Sequence, residues 1–189
     1  MAKTIFMTLS TSAEVKNLMR TEVLPTLLSD PELRLICLVP EKKLDFYRKE
    51  FTQDRVIIEP VADLEYGLTK ARAFWRSVSY NSVPSRTVWI RSFKVFFTKP
   101  SLFEFLALCW KKPVWFLGLL RPWRECVRWI EFRFFDEDKA AWDKLFEKYK
   151  PDLCFATNII HGTNIALMKA ARRRGVKLIG MVKTWDNLT

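Results

Sequence analysis

The sequence predicts an α/β fold of Rossmann type, in which a parallel sheet is flanked by helices. Short apolar runs at residues 4–9, 33–39 and 56–58 alternate with stretches whose apolar residues recur at helical spacing. The same alternation returns after residue 135, with predicted strands at 153–157 and 176–182. The chain is 49% hydrophobic and 28% charged, which is typical of a globular protein.

The first half of the predicted sheet follows a β-α-β-α-β order. After the first strand, Thr11 or Ser12 can cap one helix whose apolar face is formed by residues 15, 18, 19, 23 and 27. Pro40 lies where the next helix is expected to open, because proline is tolerated in a first turn. Pro60 is expected to stop the third strand.

The regular pattern lapses between residues 61 and 135, where helices are predicted at about 64–80, 86–98, 101–111 and 119–135. Pro100 and Pro113 are expected to break this helical run. We interpret about 64–135 as a helical insert in a single Rossmann-like domain that spans residues 1–189. Helices are predicted again at 136–149 and 165–174, the latter ended by Gly175 as a C-cap.

The net charge of +11 is concentrated in the insert. Residues 70–135 contain 13 basic and 3 acidic side chains and 17 of the 27 aromatic residues. Three interpretations follow, in order of preference: contact with an anionic membrane surface, an ordinary helical layer with a solvated basic side, or binding of nucleic acid. The apolar stretch 102–120 contains Glu104, Lys111, Lys112 and Pro113, so it is too interrupted for a transmembrane helix.

Several classes of protein are disfavoured by what the sequence lacks. No G-x-G-x-x-G, P-loop or G-x-S-x-G pattern occurs, and the single histidine argues against a structural zinc site, so no metal site is expected. The first apolar run is too short for a signal peptide. The four cysteines (Cys37, Cys109, Cys126 and Cys154) form no C-x-x-C pair, and we expect them to be reduced and buried, as in a cytoplasmic protein.

Four segments near the end of the chain carry a family resemblance: 150–157 (KPDLCFAT), the HGT loop at 161–163, 171–180 (ARRRGVKLIG) and 183–189 (KTWDNLT). Together they resemble bacterial GT-B glycosyltransferases, especially those of surface polysaccharide synthesis. They are more distantly similar to UDP-N-acetylglucosamine 2-epimerases and CDP-glycerol glycerophosphotransferases. Residues 184–189 are the most specific element, whereas the middle third matches no motif.

This resemblance implies a protein of two lobes that face a cleft. The N-terminal lobe mostly binds the acceptor, here a sugar or a lipid-linked acceptor at the inner membrane surface. The C-terminal lobe mostly binds the nucleotide sugar, which is a co-substrate, so no cofactor is expected in the N-terminal lobe. Ligands in open parallel sheets bind beyond the carboxyl ends of the strands, and the sequence reaches that edge at its last residues. We therefore expect this chain to be the first lobe of a longer enzyme.

The candidate catalytic residues are His161 and Asp186. His161 lies in the loop after a predicted strand, where it could act as a general base or contact the acceptor. Asp186, after the last strand, could act as a base toward an acceptor hydroxyl. Beside it, Trp185 could stack on a sugar ring and Asn187 could hydrogen-bond sugar hydroxyls. The alternatives are a solvent-exposed loop histidine and an interdomain hinge or Asx turn.

Four further residues are candidate substrate-binding groups at the same edge: Ser10 and Thr11 after the first strand, and Asn158 and Thr163 after the fourth. Asn164 is expected to line the same edge. The alternative for them is helix capping, which is the stronger interpretation for Ser10, Thr11 and Thr163. Three functions therefore stay open: the acceptor lobe of a glycosyltransferase, a fragment of a 2-epimerase-like enzyme, and a non-enzymatic basic module that binds a membrane or nucleic acid.

Overall fold

The computed structural model describes residues 3–62, 70–98, 100–135, 139–159 and 161–182. These residues divide into two compact units. The sheet unit contains residues 3–62, 139–159 and 161–182, and the helical unit contains residues 70–98 and 100–135. Each unit is described separately below.

The described elements, in chain order, are β1 (Lys3–Thr8), α1 (Ser12–Leu18), α2 (Val23–Leu28), β2 (Leu33–Pro40), a 3-10 turn (Glu41–Lys43), α3 (Leu44–Phe51), β3 (Val56–Val61), α4 (Lys70–Asn81), α5 (Arg86–Thr98), α6 (Leu102–Leu117), α7 (Arg121–Phe134), α8 (Lys139–Tyr149), β4 (Leu153–Ala156), α9 (Gly162–Arg174) and β5 (Lys177–Gly180). Among these residues, no helix is both long enough and apolar enough to cross a membrane.

The five strands form one sheet in which every pair is parallel, in the order β3-β2-β1-β4-β5. The predicted α/β, Rossmann-like class is therefore confirmed. The chain moves outward from β1 to β3 in one direction and then returns to add β4 and β5 on the other side of β1. The order consequently reverses between β1 and β4, and ligands of open α/β sheets bind at such a reversal.

Alternating residues of the central strands supply two hydrophobic cores, one on each face of the sheet. On β1, Met7 packs with the core that α1, α2 and α3 cover, whereas its neighbour Phe6 packs with the core that α8 and α9 cover. On β2, Cys37 packs in the core with Met7, and its neighbour Ile36 packs in the core with Phe6. A strand that is buried on both faces has a continuous apolar sequence, which explains why β1 and β2 could be predicted from the sequence.

Two predictions about the first half of the sheet were wrong. Pro60 does not stop β3 but pairs with Val39 inside it. Its missing N–H is tolerated because β3 is at the edge of the sheet. The single helix predicted after β1 is two helices, because the Thr21 hydroxyl donates to the carbonyl of Asn17 at 2.9 Å and accepts from the N–H of Val23 at 3.4 Å.

The prediction for the end of α9 was right and the one for its start was not. Gly175 ends the helix in the left-handed region, at a φ of 67°, where glycine carries no Cβ penalty. The helix begins at Gly162, three residues before the predicted start, and His161 is its N-cap residue.

The helical unit consists of α4 to α7, and α5 has the predicted bounds. Pro113 was expected to end a helix but lies inside α6. Contacts on both sides of the proline, one to α5 and one to Ser85 just before α5, hold α6 in place. The Lys112 ammonium donates to the carbonyl of Trp89 at 3.0 Å and lies 3.5 Å from the centroid of its ring, and the Trp115 indole N–H donates to the carbonyl of Ser85 at 3.1 Å.

The cysteines divide into two classes, which corrects the expectation that all four are buried. Cys37 and Cys154 lie inside the sheet, and burial raises the pKa of the Cys154 thiol to about 12. Cys109 on α6 and Cys126 on α7 are exposed. The buried residue is Ala107 on α6 and Val127 on α7. All four are free thiols.

Candidate functional site

The candidate site is the edge of the sheet where β1 and β4 end side by side. β1 leads through Leu9, Ser10 and Thr11 into α1, and β4 leads through a loop of about five residues into α9. The two strands pair directly, with Phe6 opposite Cys154. The loops that follow them are therefore neighbours at the point where the strand order reverses.

Buried hydroxyl and amide groups join the two loops. The Thr8 hydroxyl donates to Oδ1 of Asn164, and the Thr157 hydroxyl donates to the carbonyl of Thr8 at 2.8 Å. Nδ2 of Asn164 donates to the Ser10 hydroxyl at 3.3 Å, and Oδ1 also accepts from the N–H of Asn158 at 3.3 Å. Asn164 thus connects the end of β1, the loop after β1 and the loop after β4.

The loop after β1 is further fixed by Glu14, whose side chain is almost completely buried. Its Oε2 accepts from the N–H of Ser10 at 2.6 Å and from the N–H of Thr11 at 3.0 Å. In return the Thr11 hydroxyl accepts from the N–H of Glu14 at 3.4 Å, which completes a capping box at the start of α1. The backbone at this edge is consequently held by side chains of the same unit.

The structure places Ser10 and Thr11 as parts of this scaffold. The Thr11 hydroxyl caps α1, as the capping alternative predicted. The same prediction was wrong for Ser10, whose buried hydroxyl accepts from Asn164 and caps no helix. Thr163 was expected to cap α9 but does not. It lies inside the helix, fully buried, and its hydroxyl donates at 3.4 Å to the carbonyl of Ala62, which follows β3.

Two predicted site residues remain partly accessible at this edge. Asn158 and His161 are both half-buried, in the loop between β4 and α9. The carbonyl of His161 accepts from the N–H of Ile165 at 2.9 Å, which begins the hydrogen bonding of the helix. His161 has an extended backbone, with φ −69° and ψ 138°, and its side chain does not cap α9.

The remaining predicted site residues are Trp185, Asp186 and Asn187. All three lie outside the described residues, so their roles stay predictions. Within the described part of the chain, no group of three His, Cys, Asp or Glu side chains is arranged to hold a metal ion.

Three residues of the scaffold were missed by the sequence interpretation: Thr8, Glu14 and Thr157. Glu14 had a usable signal, because a threonine followed three positions later by glutamate is the capping-box pattern. A threonine also ends or follows each of the two adjacent strands, β1 and β4. Asn164 was expected at this edge, but its hydrogen bond to Thr8 had no local signal, because the two residues are 156 positions apart in the sequence.

A second group of interacting ionisable residues lies away from this edge, where Glu59 of β3 accepts from Lys148 at 2.7 Å and from the Tyr149 hydroxyl. Partial burial opposes ionisation of Glu59, but the hydrogen bonds from Lys148 and Tyr149 outweigh it and lower the pKa of the carboxyl. The same contacts raise the pKa of Lys148. This group joins the end of α8 to the outer strand β3, which is a structural role.

Comparison of the chain with protein families, curated proteins and solved structures finds no match. The functional argument therefore depends on the geometry of the site. That geometry combines a fixed backbone edge with two half-buried residues, Asn158, which has a side-chain amide, and His161, which has an imidazole.

Proposed function

We propose that this chain is the acceptor-binding lobe of a glycosyltransferase that uses a nucleotide-activated sugar in the synthesis of cell-surface polysaccharide or glycolipid. One observation carries the proposal: His161 and Asn158 are half-buried at the carboxyl edge of the sheet, where its strand order reverses. The resemblance of residues 150–189 to the first lobe of GT-B enzymes supports the same assignment.

In this proposal, His161 accepts the proton of the attacking acceptor hydroxyl, and Asn158 orients the sugar through its side-chain amide. Asn164, Ser10 and Thr8 act indirectly, because their hydrogen bonds fix the loop that carries both groups. Asp186 is a second candidate base from the sequence. The nucleotide sugar would be bound by a second lobe, as in the enzymes that the chain resembles.

The proposal is tested by mapping acceptor binding onto the chain. The 22.4 kDa protein, labelled with ¹⁵N, is titrated with a disaccharide of N-acetylglucosamine and with UDP-N-acetylglucosamine in separate NMR experiments. We expect millimolar disaccharide to shift the amide signals of the loops after β1 and β4. His161→Ala and Asn158→Ala should weaken that binding, whereas Asn17→Ala, an exposed substitution on α1, should leave it unchanged.

Two outcomes would count against the proposal. Disaccharide shifts confined to other parts of the molecule would remove the site from this edge. Binding of UDP-N-acetylglucosamine at the same loops, without binding of the disaccharide, would favour the 2-epimerase-like hypothesis, in which the nucleotide sugar is itself the substrate.

A further inference from the structure

The most exposed large apolar side chains of the described residues lie together at one turn of the helical unit. Phe97, the second-last residue of α5, has 73% of its surface exposed, and Leu102 and Phe103, the first two residues of α6, have 75% and 76% exposed. Single exposed apolar residues are ordinary on protein surfaces, but a contiguous group indicates a surface that contacts another molecule.

This apolar surface continues along α6. Leu102, Leu106, Cys109, Pro113 and Phe116 follow one another at intervals of four and three residues, and all five are exposed. Residues with this spacing lie on one side of a helix. The outward side of α6 is therefore apolar for nearly the whole length of the helix.

The two helices that carry this surface are firmly packed on each other. The ring of Trp89 on α5 lies 4.8 Å from that of Trp115 and 5.6 Å from that of Phe116 on α6. Ser101 caps α6, its hydroxyl accepting from the N–H of Glu104 at 3.1 Å. The exposed phenylalanines therefore lie on two helices that pack on each other, which we call the α5–α6 hairpin (described residues 86–98 and 100–117).

Cations lie among the apolar residues of the hairpin. On α5, Ile90, Lys94 and Phe97 are exposed at helical spacing, and Arg91 is exposed next to Ile90. Glu104 is the single acidic residue in the sequences of α5 and α6. A surface that presents aromatic rings together with cations and few anions complements the headgroup region of an anionic lipid bilayer.

The dimensions of α6 indicate that it would lie in the bilayer interface rather than cross the bilayer. Its 16 residues span about 24 Å at about 1.5 Å per residue, which is less than the ~30 Å hydrocarbon core. Its sequence also includes Glu104, Lys111 and Lys112, which are costly at the centre of a bilayer.

We propose that the α5–α6 hairpin binds an anionic membrane surface, with Phe97, Leu102 and Phe103 inserted between the headgroups. The partner is a lipid bilayer rich in anionic lipid, recognised by apolar insertion and by attraction to Arg91 and Lys94. The inference stands on its own observations and does not depend on the sugar-binding site.

The test is cosedimentation of the full chain with vesicles of phosphatidylcholine alone or of phosphatidylcholine and phosphatidylglycerol. We expect binding to the anionic vesicles that weakens as salt increases. The double variant Phe97→Ser/Phe103→Ser should lower the partition coefficient by at least about tenfold, because each ring removes a large apolar area from the interface. Arg91→Gln/Lys94→Gln should weaken binding to anionic vesicles specifically.

A matched control is available in the sheet unit, where Phe46 is 55% exposed. Phe46→Ser removes an exposed ring of the same type and should bind vesicles like the wild type. All substituted residues are exposed, and far-UV circular dichroism establishes that each variant is folded. Failure of the wild type to bind anionic vesicles, or equal binding by the Phe97→Ser/Phe103→Ser variant, would overturn the proposal.

Two other results would assign the surface to a different partner and would also overturn it. Salt-sensitive binding of a single-stranded oligonucleotide, with no vesicle binding, would make it a nucleic-acid surface. A wild-type dimer in solution that becomes a monomer in the Phe97→Ser/Phe103→Ser variant, again without vesicle binding, would make it an interface between two copies of the chain. Vesicle binding without any disaccharide binding would leave this inference intact and refute the proposed function alone.

Discussion

Replacing Asn164 by alanine tests whether its side-chain amide holds the candidate site together. The substitution removes a hydrogen bond to Thr8, one to Ser10 and one to the backbone of Asn158. Loss of a partner for a buried polar group costs about 1–3 kcal/mol. Thr8 can partly compensate, since the Thr157 hydroxyl is 3.4 Å away. We therefore expect the free energy of unfolding of the sheet unit to fall by about 2–4 kcal/mol.

The measurement is urea unfolding followed by far-UV circular dichroism, where a loss of this size lowers the midpoint by about 1–2 M. Asn17→Ala, exposed on α1, is the control and should stay within about 0.5 kcal/mol of the wild type. Asn164→Leu restores most of the volume but no hydrogen bond, so it should also be destabilised. If Asn164→Leu is as stable as the wild type, the reasoning fails, because the stability at this position would then come from packing volume and not from hydrogen bonds.

Three further predictions concern stability. A Cβ at Gly118 would lie 2.8 Å from the carbonyl carbon of Ser82, so Gly118→Ala should destabilise the helical unit by about 1–3 kcal/mol in thermal unfolding; an unchanged melting temperature would contradict this. The pKa of Glu59 is lower in the folded protein than its usual value of 4.5, so its ionised form stabilises the fold above pH 4.5. The loss of stability in Glu59→Gln should therefore be greatest above pH 4.5 and should disappear as the pH falls through the pKa of the folded protein. An equal loss of stability at all pH values would refute this. Leu167→Ala, at a fully buried position, should cost about 2–5 kcal/mol by urea unfolding, and the exposed Leu106→Ala should not.

The class of the fold could be predicted because its central strands are buried on both faces. Such strands appear as uninterrupted apolar runs, and β2 was predicted at 33–39 and is observed at Leu33–Pro40. The role of Gly175 as the C-cap of α9 could also be predicted, because the left-handed conformation at the end of a helix favours glycine in any surroundings. These features depend on local sequence and on burial alone.

The positions of the two prolines were misjudged because their effect depends on distant parts of the chain. Pro60 is tolerated in a strand only because β3 is the outer strand, which is a property of the sheet order. Pro113 is tolerated in α6 because Lys112 and Trp115 bind backbone carbonyls of α5 and its preceding residue Ser85. A local rule about proline cannot include either contact.

The loops of the candidate site were selected from the sequence, but the hydrogen bonds that shape them were not predicted. The expectation that ligands bind beyond the carboxyl ends of parallel strands selected the loops after the first, fourth and fifth predicted strands. That a ligand binds there stays a prediction, and the reversal of strand order between β1 and β4 was found only in the structure. The hydrogen bonds that shape those loops connect Thr8 with Asn164 and Thr157, and each joins residues that are about 150 positions apart, at separations of 156 and 149. No pattern within a window of sequence reports such a contact.

The structure therefore divides the residues of the site by their exposure, and this division decides what their substitution can reveal. Thr8, Thr157 and Asn164 are buried, and Thr8 is hydrogen-bonded to both of the others, so changing any of them should alter the position of the loops and the stability together. Asn158 and His161 are half-buried, and in the proposed function they are the residues that contact the acceptor, so changing them should alter binding with less effect on stability. Loss of acceptor binding in an Asn164 variant alone would show only that binding needs the loops in their observed positions. Loss of acceptor binding in a His161 variant of unchanged stability would show that the imidazole itself takes part in binding.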